Sequence, residues 1–408
     1  DAPTPTMAAL SNSLAYIGPD GNVYVIHPGE TVPTPITTDA DAKSPLDMTV
    51  YTAVGLGPRP EPTHVYCCVQ WSPDASQLTF IDIVTKQLFV AALDDHRPRL
   101  VAAGATPLHP GSAWSPDGTQ FVYLRDDRVS KYGPGEEIRV MPVAGGTART
   151  IGANDIYCER DGPGPELAGY ILNSERGHSN FHKPVSLVWT SRGLLYGNTV
   201  SCNGLALVSA DGEIIWQDNR LLSPFVAPDQ TRMVAEVVLE HAPYAEIALV
   251  ERDTGQTTTL PLDARTTDVL GWTADGAAIL YATYALISQT PNTGPESDPL
   301  NKYPALWEAT TTRMTLWQRR LSDGQTQTLF TAQGYWIGLL STNPDGSALA
   351  LSLVTSGEAL LQAKNEGAAE SELEKLMPHP EVVIVPLNGE PPVWLGPGGQ
   401  PAFSPIRR

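Results

Sequence analysis

The sequence predicts an all-β, seven-bladed β-propeller, and three observations lead to that prediction. A short phrase that reads as strand, tight turn and strand occurs seven times along the chain. Several copies are about 40 residues apart, a period typical of propeller blades built from four strands each. The composition, with 37 Pro and 35 Gly in 408 residues, favours many turns and short strands over long helices.

The phrase is clearest at Trp114–Leu124, WSPDGTQFVYL. Pro116 presets φ at the second position of the turn, Asp117 caps the turn locally, and Gly118 accepts the left-handed conformation that follows. The apolar run after the turn has no polar alternation, so we expect a strand that is covered on both faces. The other copies begin at Trp71, Trp189, Ala227, Trp272, Asn343 and Phe403.

This phrase resembles the repeat of TolB-type, WD-like propellers, whose core is W-S-P-D-G followed by an apolar strand. The resemblance covers nearly the whole chain and implies the propeller fold. It does not select a function, because such propellers serve as binding platforms, protease gates and enzyme scaffolds alike. TolB also has a separate α/β domain before its propeller, whereas we expect the present chain to form the propeller alone.

The repeats divide residues 1–408 into seven blades of a single domain. Residues 10–40 supply three strands of the first blade but lack the inner strand that should carry the repeated phrase. We predict that Pro401–Ile406, within the C-terminal residues 399–408, is that missing inner strand. This closure joins both chain ends in one sheet and removes two open edges. The other blades are predicted at residues 64–102, 112–151, 185–217, 222–260, 267–330 and 336–395.

Insertions interrupt the strand rhythm, and the strand order places them together on one face of the propeller. In an up-and-down blade, the turns between strands one and two and between strands three and four share a face. The remaining connections emerge on the opposite face, and all the insertions belong to that second set. The last insertion has a helix-favouring composition, with Gly367 as the expected break. The insertions are residues 125–137, 152–184, 288–313 and 356–381.

The net charge and the N-terminal sequence limit the class of partner and the cellular compartment. A formal net charge of −19 repels phosphate backbones, which excludes nucleic acid as a partner. No stretch reaches the roughly 18 apolar residues that a membrane-spanning helix needs. The opening DAPTPT resembles a mature N-terminus left by signal-peptide removal, with a boundary chosen for expression as the alternative. We therefore expect an exported protein, whether extracellular, on the cell surface or periplasmic.

Export would permit disulfides, and the four cysteines are compatible with two bridges. Cys67 and Cys68 are adjacent in a predicted strand, so we expect their side chains to point to opposite faces. Our first choice is therefore a bridge between Cys158 and Cys202, which would tie an insertion to its neighbouring blade. The alternatives are a vicinal Cys67–Cys68 bond, or one of these two residues paired with Cys158.

The sequence offers no catalytic or cofactor site that we would select. Among eight histidines, only His178 and His182 have an i,i+4 spacing, and the glycine and asparagine around them indicate a loop rather than a metal-binding helix. No G-x-S-x-G elbow and no phosphate-binding P-loop is present. Structural calcium at Asp94–Asp95 or Asp126–Asp127 is possible, but neither pair matches a calcium motif, and solvated turns are the preferred interpretation.

Large aromatic residues fall into two groups. Trp71, Trp114, Trp189 and Trp272 occupy matching repeat positions, which indicates core between blades rather than a ligand platform. Aromatic and apolar residues inside the last two insertions have no such regularity, so they are either local core or interface anchors. These interface candidates are Tyr303, Leu306, Trp307, Leu360, Leu373, Leu376 and Met377.

We therefore expect a non-catalytic, exported propeller that acts as a protein–protein interaction scaffold or as an accessory subunit of a cell-surface or envelope assembly. Its partners would be other proteins of that assembly, bound through the face that carries the insertions. The alternative is an enzyme or a small-ligand- or glycan-binding propeller that uses the central channel. If the insertions pack on the propeller itself, they would instead form a lid over the channel mouth.

Overall fold

The computed structural model confirms the seven-bladed β-propeller. Its described part contains 27 strands, arranged as five four-stranded sheets and one seven-stranded sheet that holds two blades. The described residues are 11–41, 62–105, 112–127, 135–153, 186–198, 204–218, 220–238, 245–262, 267–286, 312–355, 362–363, 366–369, 372, 374–376 and 379–405.

The strands form the blades in chain order. Blade one contains β1 (Leu14–Ile17), β2 (Val23–Ile26) and β3 (Thr34–Pro35). Blade two contains β4 (Tyr66–Trp71), β5 (Gln77–Asp82), β6 (Gln87–Ala92) and β7 (Pro98–Ala103). Blade three contains β8 (Ser112–Trp114), β9 (Gln120–Asp127), β10 (Gly135–Pro142) and β11 (Arg149–Ala153). Blade four contains β12 (Ser186–Thr190), β13 (Gly193–Asn198), β14 (Gly204–Val208) and β15 (Ile214–Asp218).

The second half continues in the same order. Blade five contains β16 (Leu221–Val226), β17 (Arg232–Val238), β18 (Ala245–Glu251) and β19 (Thr257–Leu260). Blade six contains β20 (Thr267–Trp272), β21 (Ala278–Leu286), β22 (Thr312–Arg320) and the first part of β23 (Thr326–Thr342). Blade seven contains the rest of β23, then β24 (Ala348–Thr355), β25 (Pro380–Pro386) and β26 (Val393–Pro397). The last strand, β27 (Gly399–Phe403), returns to blade one.

The predicted closure of the ring is confirmed. Strand β27 pairs antiparallel with β1, with Phe403 opposite Leu14 and Ala402 opposite Ala15, so the first blade has the strand order β27-β1-β2-β3. Phe403 is buried in a cluster that also contains Ala350 and Ile384 of blade seven. The closing strand therefore completes one blade and packs against the last one.

Blades six and seven are joined in a way that the sequence does not reveal. Their predicted ranges end and begin at separate positions, but β23 runs through both blades without a loop. Its first half pairs with β22 and its second half pairs with β24, and the change of partner falls at Gly334, which has a φ of 144°. The segment contains no proline that would interrupt the strand, and it stays continuous because β22 and β24 offer it consecutive edges to pair with.

Apolar side chains pack between neighbouring blades. Between blades one and two, for example, Ile17 and Val25 lie in one cluster with Trp71 and Phe80. Burying a side chain of this size stabilises the fold by roughly 1.5–3 kcal/mol. The core is therefore distributed around the ring rather than concentrated at its centre.

Two of the predicted insertions are described in part. In the insertion at residues 125–137, which is predicted to be a loop, residues 125–127 and 135–137 are strand, because β9 and β10 continue to a pairing of Asp127 with Gly135. In the last insertion, Gln362 and Ala363 are helical, and the Ala368 amide donates to the Ala363 carbonyl around Gly367, which has a φ of 77°. That bond is typical of a helix C-terminus closed by glycine, so the predicted break at Gly367 is confirmed.

A short 3-10 helix, Glu374–Leu376, follows in the same insertion. None of the helical segments in the described part of the chain has the length and apolar character needed to cross a bilayer.

Candidate functional site

The two faces of the ring differ in the length of their connections. On one face, short turns such as 72–76, 115–119 and 273–277 join the first and second strands of a blade. We call the opposite face the loop-bearing face, because the strands that flank the long connections all end there. These connections are residues 36–65, 154–185, 287–311 and 356–379.

The repeated aspartate of the short turns has a structural role, as the sequence indicates. Asp117 accepts a hydrogen bond from the Ser115 hydroxyl at 2.6 Å and one from the Thr119 amide at 3.0 Å. The donating Ser115 hydroxyl, followed by the Thr119 amide, lowers the pKa of Asp117 below its usual value. Asp74 and Asp275 make the equivalent bonds. The Oδ1 atom of each of these carboxylates is used within its turn, which supports the structural interpretation.

The repeated tryptophans lie between blades, which agrees with their prediction as core. The Trp71 indole donates to the Ala402 carbonyl at 2.8 Å, and the Trp272 indole donates to the Phe225 carbonyl at 2.7 Å. In both cases the acceptor is on the inner strand of the preceding blade. Trp114 is buried, but its indole nitrogen finds no acceptor among the described residues.

On the loop-bearing face, the described residues include a hydrogen-bonded junction between blades one and two. Within the connection 36–65, residues 36–41 and 62–65 are described. The Asp41 carboxylate accepts bonds from the Thr63 amide at 2.6 Å, the Thr63 hydroxyl at 2.8 Å and the His64 amide at 3.0 Å. Asp41 therefore ties the two described ends of the connection 36–65 together, and this connection is not among the four predicted insertions.

A histidine–aspartate pair lies beside this junction. His64 Nδ1 is 2.8 Å from Asp82 Oδ2, and the His64 side chain is 38% exposed whereas the Asp82 side chain is fully buried. Asp82 also accepts bonds from the Val84 amide at 3.1 Å and the Thr85 hydroxyl at 2.6 Å. The hydrogen bond to Asp82 raises the pKa of His64, and the negative charges of Asp82, Asp39 and Asp41 act in the same direction.

This geometry can hold one tautomer of His64. When Nδ1 donates to Asp82, the neutral ring keeps its acceptor lone pair on Nε2. Such a pair can exchange a proton with a group that approaches from solvent, and it needs no further protein residue to do so. The sequence signal for it is an aspartate directly after the buried run LTFI, but that pattern is too common to select a site.

The inner strands of blades one and two carry a second unusual feature. Cys67 and Cys68 are joined by a vicinal disulfide, which is the alternative arrangement weighed from the sequence. The expectation that their side chains point to opposite faces is wrong, because β4 has a bulge at this position and Cys68 has a φ of 67°. The Cys68 amide donates to Oε1 of Gln400 on β27 at 2.6 Å.

Most of the sequence-predicted site residues lie outside the described residues. Leu376 is described, and it is 36% exposed in the short 3-10 helix of the last insertion. The residues outside the described part are Cys158, His178, His182, Cys202, Tyr303, Leu306, Trp307, Leu360, Leu373 and Met377.

Metal binding finds no support in the described part of the chain. No group of three or more His, Cys, Asp or Glu residues within it is placed to hold a metal ion. Asp94 and Asp95 lie on an exposed turn of blade two, where the Asp95 carboxylate accepts the Arg97 amide at 3.0 Å.

Comparison with known proteins supports the fold. No family model matches the chain, and no curated protein matches it in sequence. TolB from Acinetobacter baumannii is similar in structure, with 12% identity over 97% of this chain and 67% of that chain, and a TM-score of 0.46. An oligogalacturonate lyase from Vibrio parahaemolyticus has 11% identity over 89% of this chain and 83% of that chain, with a TM-score of 0.50. The tricorn protease has 9% identity over 97% of this chain and 34% of that chain, with a TM-score of 0.53.

At these identities the likeness shows the fold alone. The strand topology and the comparisons together define the class of protein as a seven-bladed β-propeller. The role of the present chain therefore has to be argued from its own surface.

Proposed function

We propose that this chain is an exported propeller that binds a protein partner through its loop-bearing face, as a non-catalytic scaffold or an accessory subunit of a cell-surface or envelope assembly. One observation supports this proposal above the others: the long connections all leave from the same face of the ring, whereas the opposite face has short turns. Binding residues are concentrated on loops that a rigid scaffold holds in place.

The fold itself does not require the long connections. Strands β21 and β22 pair up to Leu286 and Thr312, which lie directly opposite one another, so a two-residue turn would suffice to join them. Strands β24 and β25 likewise pair up to Val354 and Pro380. Connections 287–311 and 356–379 are therefore additions to a complete sheet, and a surface function is the simplest reason for them.

The test is to replace residues 287–311 with Asn-Gly between Leu286 and Thr312. The matched control replaces 239–244 with Asn-Gly between Val238 and Ala245, which are also opposite one another on the same face. Both variants keep their sheets, so we expect similar melting temperatures. In quantitative pull-downs from the native source, a partner should be retained by the parent and the control but lost by the first variant. Equal capture by all three proteins would refute the proposal.

A narrower variant, Tyr303→Ala with Trp307→Ala, separates an interface from a lid. Lost association with an unchanged melting temperature supports an interface. A lower melting temperature with association intact would show that these residues pack on the propeller itself.

A second candidate function, an enzyme or a small-ligand- or glycan-binding protein, is favoured by one specific observation. His64 is partly exposed on the loop-bearing face and is oriented by the buried Asp82. Structural pairs of this kind also occur, so the pair is weaker support than the distribution of the connections. A His64→Gln variant should bind a protein partner like the parent, whereas a ligand or substrate that uses this ring would be lost.

A further inference from the structure

The vicinal disulfide lies on β4 of blade two, next to the strand β27 that closes the ring. Strand β4 is the inner strand of blade two, and its neighbour on one side is the closing strand β27. We propose that the Cys67–Cys68 disulfide is a redox-sensitive constraint. It holds a bulge of β4 in the backbone conformation that hydrogen-bonds to the closing strand β27.

The bulge is visible in the register of β4 against β5. Cys67 lies opposite Ile81 and Gln70 lies opposite Thr79, so two residues of β4 face only Phe80. Cys68 is one of those two residues, and its φ of 67° is sparsely populated for a residue that has a Cβ atom. The bond to Cys67 supplies a covalent reason for Cys68 to keep that conformation.

The bulge is coupled to the closure by two successive hydrogen bonds. The Cys68 amide donates to Gln400 Oε1 on β27 at 2.6 Å. Gln400, which also has a positive φ of 53°, donates its own amide to the Ser352 hydroxyl of blade seven at 2.8 Å. The pairing of β27 with β1 also shifts register next to Gln400, since Ala15 lies opposite Ala402 whereas Ile17 lies opposite Gly399. Blades two, one and seven are therefore connected through these two irregularities, where the C-terminal strand closes the ring.

A vicinal disulfide has little effect on the unfolded chain. The entropic stabilisation by a disulfide grows with the number of residues in the loop that it closes, and adjacent cysteines enclose almost none. The consequence of this bond is therefore local backbone geometry, and its loss should be detected at β4 and β27 rather than in the stability of the whole ring.

The redox step balances with an external dithiol as the reductant. A thiolate of the dithiol attacks one sulfur of the pair, the Cys67–Cys68 bond breaks, and the other cysteine leaves as a thiolate. The second thiolate of the reductant then displaces the first cysteine and forms the reductant's own disulfide. Two electrons pass to the cysteines, which take up two protons. Both cysteines are 1% exposed, so the reductant reaches them only when the junction opens.

The test is hydrogen–deuterium exchange on the oxidised protein and on the protein reduced with dithiothreitol. We expect exchange at residues 66–71 and 399–403 to become about tenfold faster on reduction, since the left-handed conformation is no longer enforced. Residues 232–238 of blade five serve as the internal reference and should not change.

A matched pair of variants separates backbone geometry from the bond itself. Cys67→Ala with Cys68→Ala should exchange like the reduced protein, because alanine disfavours the left-handed conformation. Cys67→Ala with Cys68→Gly should stay close to the oxidised protein, because glycine adopts that conformation without steric cost.

Three results would overturn the proposal. The first is alkylation of both cysteines in the denatured protein without any reductant. The second is equal exchange at residues 399–403 in the oxidised and reduced proteins. The third is equally fast exchange in the alanine and glycine variants.

Discussion

Replacing Phe403 with alanine tests the closure of the ring at a single side chain. Phe403 is 6% exposed and packs in the cluster of blades one and seven with Leu14, Ala350 and Ile384. A buried phenylalanine truncated to alanine costs about 3–5 kcal/mol, from lost burial and from the cavity that remains. Because domains are stable by only about 5–15 kcal/mol, this one change removes a large fraction of the free energy of unfolding.

The assay is urea unfolding of Phe403→Ala, followed by tryptophan fluorescence and circular dichroism. The matched control is Val32→Ala in the same blade, since Val32 is 74% exposed and should change the stability by no more than about 0.5 kcal/mol. A loss below about 1 kcal/mol for Phe403→Ala would mean that β27 contributes little to closure, and the reasoning would then be refuted.

Removal of residues 399–408 is the larger version of the same perturbation. The deletion exposes one edge of β1 and removes the acceptors of the Trp71 indole and the Cys68 amide. Each buried donor left without a partner costs about 1–3 kcal/mol, in addition to the lost core. We expect a sharply lower melting temperature, and an unchanged melting curve would contradict the closure.

Three further predictions concern individual hydrogen bonds. Trp71→Phe should destabilise the protein by about 1 kcal/mol more than Trp114→Phe in urea unfolding, because only the first indole has an acceptor among the described residues. Equal losses would argue against the bond between blades. Asp82→Asn should lower the pKa of His64 in an NMR titration, and an unshifted titration would contradict the pairing. In the parent protein, the stabilisation by this pair should be complete below the usual histidine pKa of 6.5 and should be lost as pH rises through the raised pKa. Ser72→Ala should raise the pKa of Asp74, and an NMR titration without that change would show that the Ser72 hydroxyl is not the main cause of the lowered pKa. In the parent protein, Asp74 stabilises the fold above the usual pKa of 3.8, and this stabilisation is lost as pH falls through the lowered pKa.

The repeated phrase determined most of the fold, because each copy contains the residues that form a tight turn and the apolar strand that follows it. Turn residues such as those at 115–118 fix a hairpin locally, and the apolar strand after each turn needs cover on both faces. Seven such units bury their surfaces only against one another, so the ring and its closure by a C-terminal strand follow from counting strands, although the strand predicted at Pro401–Ile406 is observed at Gly399–Phe403. The placement of the long connections on one face follows from the same count.

Only the tertiary structure decided the features that depend on neighbours distant in sequence. The continuous strand β23 depends on β22 and β24 offering consecutive edges, which no local signal describes. The disulfide of Cys67 with Cys68 requires a bulge, and alternation along an ordinary strand predicts the opposite orientation of the two side chains. His64 and Asp82 are 18 residues apart in sequence. They come into contact because β4 and β5 pair, and the Asp82 carboxylate then orients the His64 ring. Local sequence specifies turns and strands. A site forms where particular strands pair, and that pairing is decided only when the whole ring packs.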